Sequence, residues 1–347
     1  MLGSNNYLGL AQHPRVVQAS HDAYRDYGAG MAMNPTLATT PIHLALERAI
    51  ADFCGMEAAL LFNSCTAANC ALIPTLFGDG DTIFSDRLNH ASIIDATRLS
   101  RARTVVYPHE DTAALGTMAA DVASAGAKSI ISDGVFSMEG DTAPLDRLVP
   151  IARALGALMV LDESHAIGTL GRTGRGTSER FGLPVDAVTG TFSKALGGVT
   201  GGFVAGERGL IDTLYERARF FIFTSPMSPA SAAAALAAIE VLDGDPSVVD
   251  RLRRNATRLR TGLRALGFRI LGADHAIIPV MVGDAERAVD LSKGLLEHGI
   301  FAPAMSFPIV PQGEARLRVQ ASALHSDDDL DQGLDSFEVV GRGLKLI

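Results

Sequence analysis

The amino-acid sequence predicts an α/β protein with a mostly parallel central sheet covered by helices on both faces, plus a smaller C-terminal α+β domain. Strand-like and helical stretches alternate through most of the 347 residues, which is typical of parallel sheets. Hydrophobic residues make up 47% of the chain but aromatic residues only 6%, so the core consists mainly of aliphatic side chains. Near residue 230 this pattern gives way to two long helical stretches.

The predicted sheet contains six strand-like stretches: "AALLFN", "DTIFSD", "RTVVYP", "KSIISDGVFS", "ALMVLDESH" and "AVTGTFSK". Helical stretches separate most of them, for example "TAANCALIPTLF", "TAALGTMAADVASAG" and "LDRLVPIARALG". An earlier helix, "IHLALERAIADFCG", is predicted to end at Gly55. Ligands of such sheets bind at the carboxyl ends of the strands.

The predicted domains are an N-terminal segment at 1–40, a large domain at 41–229 and a C-terminal α+β domain at 230–347. The C-terminal domain contains the helical stretches "ASAAAALAAIEVL" and "SVVDRLRRNATRLRTGLRALG". Strands and helices then alternate to the end of the chain, and Ser326 is the expected N-cap of the last helix.

The charge and the cysteines exclude several classes of protein. A net charge of −9 argues against binding to nucleic acid or to an anionic membrane surface. No run of about eighteen apolar residues occurs, so no membrane span is expected. The three cysteines form no CxxC pair, which favours a reduced, cytoplasmic location, and no residue is assigned to a metal.

Lys194 lies between the apolar run "VDAVTGTF" and several glycines, without charged neighbours. A lysine at the end of a buried strand loses hydration, and its neutral amine can form a Schiff base with an aldehyde cofactor. The alternative is a side chain that extends from a loop into solvent. The residues around Lys194 leave the two interpretations about equal.

Asp162 ends the strand "ALMVLDESH", and His165 follows three residues later. A carboxylate at a strand end can accept a charge-assisted hydrogen bond from a protonated pyridine nitrogen. A helix cap or salt bridge is the alternative for Asp162, and a buried structural histidine is the alternative for His165. Asp162 and Lys194 together, in one doubly wound domain, favour a cofactor site.

The turn "NSCTAAN" joins a strand to a helix, so the N–H groups of Ser64, Cys65 and Thr66 could bind a phosphate. An ordinary strand–helix turn explains it about as well. "GRTGRG" and "GGVTGG" do not connect a strand to a helix and are rejected as dinucleotide fingerprints. In "ARLRVQASALH", Arg316 and Arg318 lie on one face of a strand and could bind a carboxylate, although such pairs are more often solvated.

Together, "DESHAIG", "TFSKALGG" and "ARLRVQASALH" resemble the α-oxoamine synthase family of fold-type I pyridoxal-phosphate enzymes over essentially the whole chain. The resemblance implies a pyridoxal 5′-phosphate cofactor. It implies that Lys194 is the Schiff-base lysine and the later acid/base at the substrate α-carbon. Asp162 would pair with the pyridine nitrogen, His165 and Ser137 would contact the phenolic oxygen, and His90 would stack on the ring.

The resemblance also implies how the phosphate and the amino acid are bound. The backbone at Cys65 and Thr66 and the hydroxyl of Thr191 would hold the phosphate. Ser225 matches a position that reaches the phosphate from the neighbouring subunit, which implies a homodimer with shared active sites. The following residues would bind the amino-acid substrate: Arg318 at its carboxylate, with Asn5 nearby.

The implied reaction is C-acylation of an amino acid by an acyl-CoA. Within the family, "SDRLNHASIIDATRL", "SDGVFSMEGD", "GADHAIIPVMVGDA" and "FPIVPQGEARLRVQASALH" resemble glycine C-acetyltransferase more than 8-amino-7-oxononanoate synthase. The expected substrates are therefore glycine and acetyl-CoA, or the reverse cleavage. The alternatives are 8-amino-7-oxononanoate synthase, a relative with another acyl donor or amino acid, a pyridoxal-phosphate enzyme without acyl transfer such as a racemase or transaldolase, and a non-catalytic subunit.

The sequence departs from the family pattern in three places. Family members have a few dozen residues before the "NNYLGL" stretch, so the N-terminal segment is expected to be short. Thr66 stands where the phosphate turn normally has an aromatic residue. "GMAMNPTLATTPIH" has Pro35 and the pair Ala38 and Thr39 where the acetyltransferase has an arginine and a glycine. These departures weaken the assignment of the substrates and leave the cofactor chemistry unchanged.

Overall fold

The computed structural model describes residues 1–122, 125–272 and 274–347, which form two compact units. The larger unit consists of Leu10–Phe136 and Ala143–Asp245, and the smaller unit consists of Met1–Gly9, Ser137–Thr142 and Pro246–Ile347. The sequence placed the boundary near residue 230, whereas the contacts place it after Asp245. The contacts also assign the first nine residues to the smaller unit.

The larger unit is built on a seven-stranded sheet in the order β1-β7-β6-β5-β4-β2-β3. Strand β7 is antiparallel to both of its neighbours, and every other pair is parallel, so the predicted mostly parallel sheet is confirmed. The strands are β1 Ala58–Phe62, β2 Thr82–Asp86, β3 Arg103–Tyr107, β4 Lys128–Asp133, β5 Leu158–Asp162, β6 Ala187–Thr191 and β7 Gly202–Gly206.

The helices of the larger unit pack on the sheet and on one another. They are α1 Pro14–Tyr27, α2 Pro41–Cys54, α3 Cys65–Leu76, α4 Ala91–Ser100, α5 Thr112–Ala120, α6 Leu145–Leu155, α7 Thr177–Phe181, α8 Arg208–Arg217, α9 Arg219–Ile222 and α10 Pro229–Gly244, with a 3₁₀ turn at Leu10–Gln12. Helix α3 contacts α4 and α8, whereas α6 contacts α5 and α7. In the helix predicted over "TAALGTMAADVASAG", Ala123 and Ser124 lie outside the described residues.

Local sequence signals fix the ends of α2. Thr40 caps its N-terminus by accepting the backbone N–H of His43, and Pro41 occupies the first helical position, where no N–H is needed. Gly55 ends the helix with φ 67°, a left-handed conformation that favours glycine. The helix end predicted at Gly55 is therefore confirmed.

The smaller unit contains a four-stranded antiparallel sheet in the order β10-β11-β9-β8. Its elements are α11 Ser247–Leu266, β8 Arg269–Ile270, β9 Ile277–Gly283, α12 Ala285–Glu297, β10 Ala304–Met305, β11 Ala315–Gln320 and α13 Asp327–Gly343. Ser326 caps α13 as predicted, in a capping box with Asp329. Ala273, part of "GADHAIIPVMVGDA", lies outside the described residues.

The first residues of the chain belong to the core of the smaller unit. The N–H of Leu2 donates to the carbonyl of Phe301, and the carbonyl of Leu2 accepts the N–H of Gln320. The Leu2 side chain packs among buried residues that include Leu317 and Leu330. The "NNYLGL" stretch that follows is thereby held against the end of β11.

Across the parts of the chain that the structure describes, each helix is too short or too polar to cross a lipid bilayer. The three cysteines Cys54, Cys65 and Cys70 are not disulfide-bonded.

Candidate active site

Asp162 ends β5 at the carboxyl edge of the larger sheet, where its side chain is only 4% exposed. Its Oδ2 atom accepts a hydrogen bond from Asn69 Nδ2 at 2.8 Å and a weaker one from the Cys65 thiol at 3.5 Å. Its Oδ1 atom accepts the backbone N–H of Ser164 at 3.0 Å. These three donors hold the buried carboxylate in one orientation.

Asp133 ends the neighbouring strand β4, and its Cα lies opposite that of Asp162 in the parallel register. Burial, followed by the charge of Asp162, raises the pKa of the Asp133 carboxyl group well above its ordinary value. The backbone N–H of His90, which donates to Asp133 at 2.8 Å, and the charge of Lys194 act in the opposite direction. Asp133 therefore tends to keep its proton beside the Asp162 carboxylate.

Lys194 lies in a turn after β6, because the strand ends at Thr191 and not at the lysine as predicted. The turn is anchored by two fully buried side chains, Phe192 and Leu196, while Lys194 itself is half-buried. Burial raises the pKa of the Cys65 thiol well above its ordinary value, as it does for Asp133, and the charge of Lys194 acts in the opposite direction on both groups. The charge of Lys194 therefore influences Asp133 at the end of β4 and Cys65 at the start of α3.

The N-terminal turn of α3, which begins at Cys65, lies close to the start of β7. Ser64 caps the helix by accepting the N–H of Ala67 at 3.1 Å, and the N–H groups of Cys65 and Thr66 fall in the first turn, where the helix offers no acceptor. A Cβ atom on Gly202 would lie 2.4 Å from the backbone nitrogen of Cys65. Only glycine allows β7 to approach this turn so closely.

Thr191 completes this part of the edge. Its hydroxyl donates to the carbonyl of Gly201 at 3.1 Å, in the residue before β7. The same oxygen accepts the backbone N–H of Ser193 at 3.1 Å and lies 2.7 Å from the Ser193 hydroxyl oxygen. A hydroxyl and the N-terminal turn of α3 are therefore presented on adjacent segments of the sheet edge.

The two predicted histidines have different surroundings. His90 is the N-cap of α4, and its exposed ring contacts the Ser92 hydroxyl through Nδ1 at 2.8 Å. His165 follows Asp162 by three residues and is buried, and its backbone carbonyl accepts the hydroxyl of Thr169 at 2.7 Å.

Ser225 is exposed and lies between α9 and α10. The preceding residue, Thr224, accepts a hydrogen bond from the Asn63 side chain at 3.2 Å. Asn63 directly precedes Ser64, the cap of α3. The segment that contains Ser225 is therefore tied to the start of the α3 turn.

Three of the predicted residues, Arg318, Asn5 and Ser137, form a cluster in the smaller unit. Arg318 is buried on β11, and its Nε donates to the backbone carbonyl of Ser137 at 2.5 Å while Nη1 donates to Asn5 Oδ1 at 3.3 Å. Gln320 Nε2 and the Tyr7 hydroxyl also donate hydrogen bonds to Oδ1 of Asn5. Burial raises the pKa of Tyr7, and the charge of Arg318 together with hydrogen bonds with Gln320 and Arg318 acts in the opposite direction.

Arg316 precedes Arg318 by two positions on β11 and is 1% exposed. Its guanidinium bonds to Glu139 Oε1 at 3.1 Å, to Glu314 Oε2 at 2.9 Å and to the carbonyl of Met138 at 3.2 Å. These partners occupy all three nitrogens, because Nε donates to the carbonyl of Glu314. The guanidinium of Arg316 is therefore fully engaged within the protein.

Sequence reasoning missed three residues at this edge of the larger unit: Asn69, Ser92 and Asp133. Asn69 is the one amide within the small and apolar residues of α3, and it is almost completely buried. A buried amide requires hydrogen-bond partners, so its position in an otherwise apolar helix is a usable signal. Asp133 ends a strand just as Asp162 does, and the same rule could have identified it.

The sequence matches the family model described as aminotransferase class I and II over residues 1–337. The chain is 44% identical over 352 residues to 8-amino-7-oxononanoate synthase of Geobacter sulfurreducens, covering 100% of this chain and 90% of that protein. It is 42% identical over 342 residues to mitochondrial 2-amino-3-ketobutyrate coenzyme A ligase of Bos taurus, covering 98% and 82%.

Solved structures give the same result for the fold. The structure is similar to that of serine palmitoyltransferase from Sphingomonas wittichii, with a TM-score of 0.97 and 35% identity over 100% of this chain and 88% of that one. An 8-amino-7-oxononanoate synthase from Francisella tularensis gives a TM-score of 0.83 with 27% identity, over 99% and 98%.

Proposed function

Because the chain belongs to the aminotransferase class I and II family, as a pyridoxal-phosphate-dependent α-oxoamine synthase, we propose that it joins an α-amino acid to the acyl group of a CoA thioester. The observation that carries this proposal is the grouping of charges at the edge of the larger sheet. The charge of Lys194 acts on both Asp133 and Cys65. The Cys65 thiol donates a hydrogen bond to Asp162, and Asp133 lies opposite Asp162 on the neighbouring strand.

The groups at this edge fit a phosphorylated pyridine aldehyde. The half-buried amine of Lys194 can hold the aldehyde carbon, and the oriented carboxylate of Asp162 can accept the pyridinium proton. The first-turn N–H groups of Cys65 and Thr66 and the hydroxyl of Thr191 can bind the phosphate. The close approach that Gly202 permits keeps this turn in place.

When bound, the cofactor acts as an electron sink for charge that develops at the substrate α-carbon. Lys194 would take and return the proton at that carbon, and Asp162 would pair with the pyridine nitrogen. His90 would stack on the ring of the cofactor, and His165 and Ser137 would contact its phenolic oxygen. Each of these roles is a proposal that rests on the family pattern and on the positions described above.

In the smaller unit, Arg318 binds the carboxylate of the amino acid, and Asn5 holds the guanidinium in place. The support is that the backbone carbonyl of Ser137 and Oδ1 of Asn5 fix Nε and Nη1 of the guanidinium. A guanidinium that is already oriented loses little entropy when it binds a carboxylate. Ser225 of a second subunit would add a hydroxyl at the phosphate.

For the substrates, we infer a reaction of the 8-amino-7-oxononanoate synthase type. Six of the relatives, with 43–45% identity, have this name, so the expected preference for glycine C-acetyltransferase receives less support than its alternative. The product name describes a chain whose ketone carbon is joined to a carbon that bears an amine and a methyl group. Alanine would supply that carbon, and a seven-carbon acyl group with a terminal carboxylate would supply the ketone.

The atoms balance if the amino acid loses its carboxylate. A carbon–carbon bond forms between the α-carbon and the thioester carbonyl, and the carbon–sulfur bond breaks. The bond from the α-carbon to the carboxylate breaks and releases CO₂. One proton from solvent completes the amino ketone and the free CoA thiol.

Glycine with acetyl-CoA is the second candidate. The bovine 2-amino-3-ketobutyrate coenzyme A ligase is 42% identical to this chain over nearly its whole length, which is almost as similar as the synthases. In that reaction the carboxylate is retained in the product. Release of CO₂ therefore distinguishes the two candidates.

The test supplies the cofactor-loaded chain with three pairs of substrates: alanine and the seven-carbon carboxyacyl-CoA, glycine and acetyl-CoA, and serine and palmitoyl-CoA. Free thiol and CO₂ are measured in parallel. Both products from the alanine pair support the proposal, and thiol without CO₂ from the glycine pair supports the second candidate. Racemisation or retro-aldol cleavage without thiol release from any pair would contradict acyl transfer.

A further inference from the structure

Four side chains of the larger unit form a continuous hydrogen-bonded path from a carboxylate to an imidazole. Asn69 Nδ2 lies 2.8 Å from Asp162 Oδ2 and 2.9 Å from Ser92 Oγ. Ser92 Oγ lies 2.8 Å from Nδ1 of His90. The path therefore connects the two groups proposed to contact the ring of the cofactor, one at its nitrogen and one at its face.

The chemistry of the groups fixes the direction of each hydrogen bond. An ionised carboxylate only accepts, so the amide atom of Asn69 that faces Asp162 must be the nitrogen. The second hydrogen on that nitrogen is donated to Ser92 Oγ. Since the Ser92 oxygen accepts from Asn69, its own hydrogen is directed to His90 Nδ1.

An independent contact fixes the last step. The backbone N–H of Ser92 also donates to Nδ1 of His90, at 3.2 Å. A backbone N–H can only donate, so Nδ1 must present a lone pair. The neutral ring then carries its proton on Nε2.

The middle of the path is shielded from water. Asn69 is 2% exposed and Ser92 is 4% exposed, and they belong to α3 and α4, two helices that pack together. Inside a protein, a hydrogen bond that loses its partner cannot be replaced by one to bulk solvent. Loss of the Asn69 or the Ser92 side chain should therefore change the hydrogen bonding of both Asp162 and His90.

We propose that Asn69 and Ser92 are positioning residues, which couple the Asp162 carboxylate to the His90 ring and hold that imidazole with its proton on Nε2. Neither side chain touches the reacting atoms in this proposal. Asn69 acts through Asp162, and Ser92 acts through His90. The benefit for the reaction rests on the proposed roles of Asp162 and His90, but the tautomer itself does not depend on them.

The direct test uses the full chain labelled with ¹⁵N in histidine only, without cofactor. Long-range ¹H–¹⁵N correlation spectra report which ring nitrogen is protonated, and the His90→Gln variant identifies the signal of His90 among the nine histidines. We expect the Nε2–H form in the unmodified chain. Ser92→Ala and Asn69→Leu should each shift the tautomer ratio roughly fivefold, the effect of one lost hydrogen bond.

Ser92→Thr is the matched control because it keeps the hydroxyl, and it should preserve the tautomer of the unmodified chain. If Asn69→Leu does not fold, as judged by circular dichroism, the Ser92 pair decides the result. A ring of His90 protonated on Nδ1 in the unmodified chain would overturn the proposal. So would a Ser92→Ala spectrum identical to that of Ser92→Thr.

A second measurement links the path to the cofactor. Asn69→Leu should weaken equilibrium binding of pyridoxal 5′-phosphate roughly tenfold, because Asp162 loses one donor to its charged form. An altered tautomer with unchanged binding would show that the path exists but does not support the cofactor, which overturns the coupling part of the proposal. Absence of cofactor binding in the unmodified chain would instead contradict the proposed function, whatever the tautomer.

Discussion

Asp133 and Asp162 occupy equivalent positions at the ends of neighbouring strands but have different sets of donors. Asp162 accepts from two side chains and one backbone N–H, whereas the only partner found for the Asp133 carboxylate in the described chain is the N–H of His90. Two buried carboxylates this close cannot both be ionised without a large cost. The one with more donors remains available to a cationic ligand, and the other keeps its proton.

Replacing Lys194 tests the central assignment at the scale of one residue. Lys194→Ala should lower acyl transfer by about 10³-fold or more, because the group proposed to move the α-proton is lost. Borohydride should no longer fix the cofactor to the chain, which mass spectrometry of peptides containing residue 194 can measure. Lys128→Ala, at the start of β4, is the matched control and should retain both properties.

The two arginines of β11 should behave differently. Arg318→Lys should raise the Michaelis constant for the amino acid by about 10- to 100-fold, because lysine cannot reproduce the fork that Ser137 and Asn5 orient. Arg316→Lys should mainly lower the melting temperature, since its partners Glu139 and Glu314 belong to the protein. Equal effects of both variants on the Michaelis constant would contradict this division.

The strand-end rule for Asp162, and the spacing and family resemblance for Arg318, allowed both residues to be predicted from the sequence. They could not yield Asn69 and Ser92, whose contact depends on how α3 packs against α4. They also placed Lys194 on a strand that ends at Thr191, three residues earlier. The turn that follows the strand contains the buried side chains of Phe192 and Leu196. Because it continues the apolar pattern, the sequence does not show where the strand ends.

At the scale of elements, Glu163 joins the end of β5 to the start of α7. Both carboxylate oxygens accept the backbone N–H of Thr177, at 3.1 and 3.0 Å, and the side chain is 2% exposed. Burial raises the pKa of Glu163 to about 7. The folded chain thus holds a proton that the unfolded chain releases near pH 4.3.

This difference predicts a pH dependence of stability. Between about pH 4.5 and 7 Glu163 binds more protons in the folded state than in the unfolded state, so the free energy of unfolding should fall as the pH rises, by roughly 3 kcal/mol from this one group. Glu163→Gln should flatten that fall, measured as melting temperature against pH. The residual slope is assigned to Glu47, whose pKa burial also raises to about 7, and to Asp133, so Glu47→Gln should flatten the fall in the same way.

Strand β7 gives a second prediction at this scale. Gly202→Ala would place a Cβ 2.4 Å from the nitrogen of Cys65 and should displace the turn proposed to hold the phosphate. We expect cofactor binding to weaken roughly tenfold, the effect of modest overpacking. Gly206→Ala, at the other end of the same strand, meets its nearest atom at 3.2 Å and should bind almost normally. Titration of the cofactor absorbance measures both.

Most elements followed from the alternating pattern, but β7 and α1 did not. The segment Gly202–Gly206 has glycine at both ends, which is unfavourable in strands, and it forms a strand because β1 and β6 supply hydrogen bonds on both sides. Helix α1 contains mostly polar residues and is stabilised by packing on α10. In both cases, tertiary contacts determine a structure that local sequence does not favour.

The chain crosses between its two units several times, because the smaller unit is built from three separate segments. Ser137–Thr142 lies between strands of the larger unit, yet it packs in the smaller unit with the first nine residues. A boundary drawn from a change in sequence texture falls near residue 230, before the crossing after Asp245, and it cannot find short crossings of this kind. Their signals are single contacts, such as that between Ser137 and Arg318.

The proposed role of Ser225 requires a second copy of the chain, which gives the last prediction. In solution the cofactor-loaded protein should have a mass of about 73 kDa by light scattering, twice the 36.4 kDa of one chain. Ser225→Asp should weaken cofactor binding, because it brings a negative charge to the phosphate of the neighbouring site, while the mass stays unchanged. Thr213→Asp, at a half-buried position of α8, is the control for added charge. A monomer that binds the cofactor with full affinity would contradict the shared site.

Mixing Ser225→Asp with Lys194→Ala provides a further check. Only a mixed dimer, in which one site combines Lys194 of one subunit with the intact Ser225 of the other, would recover activity.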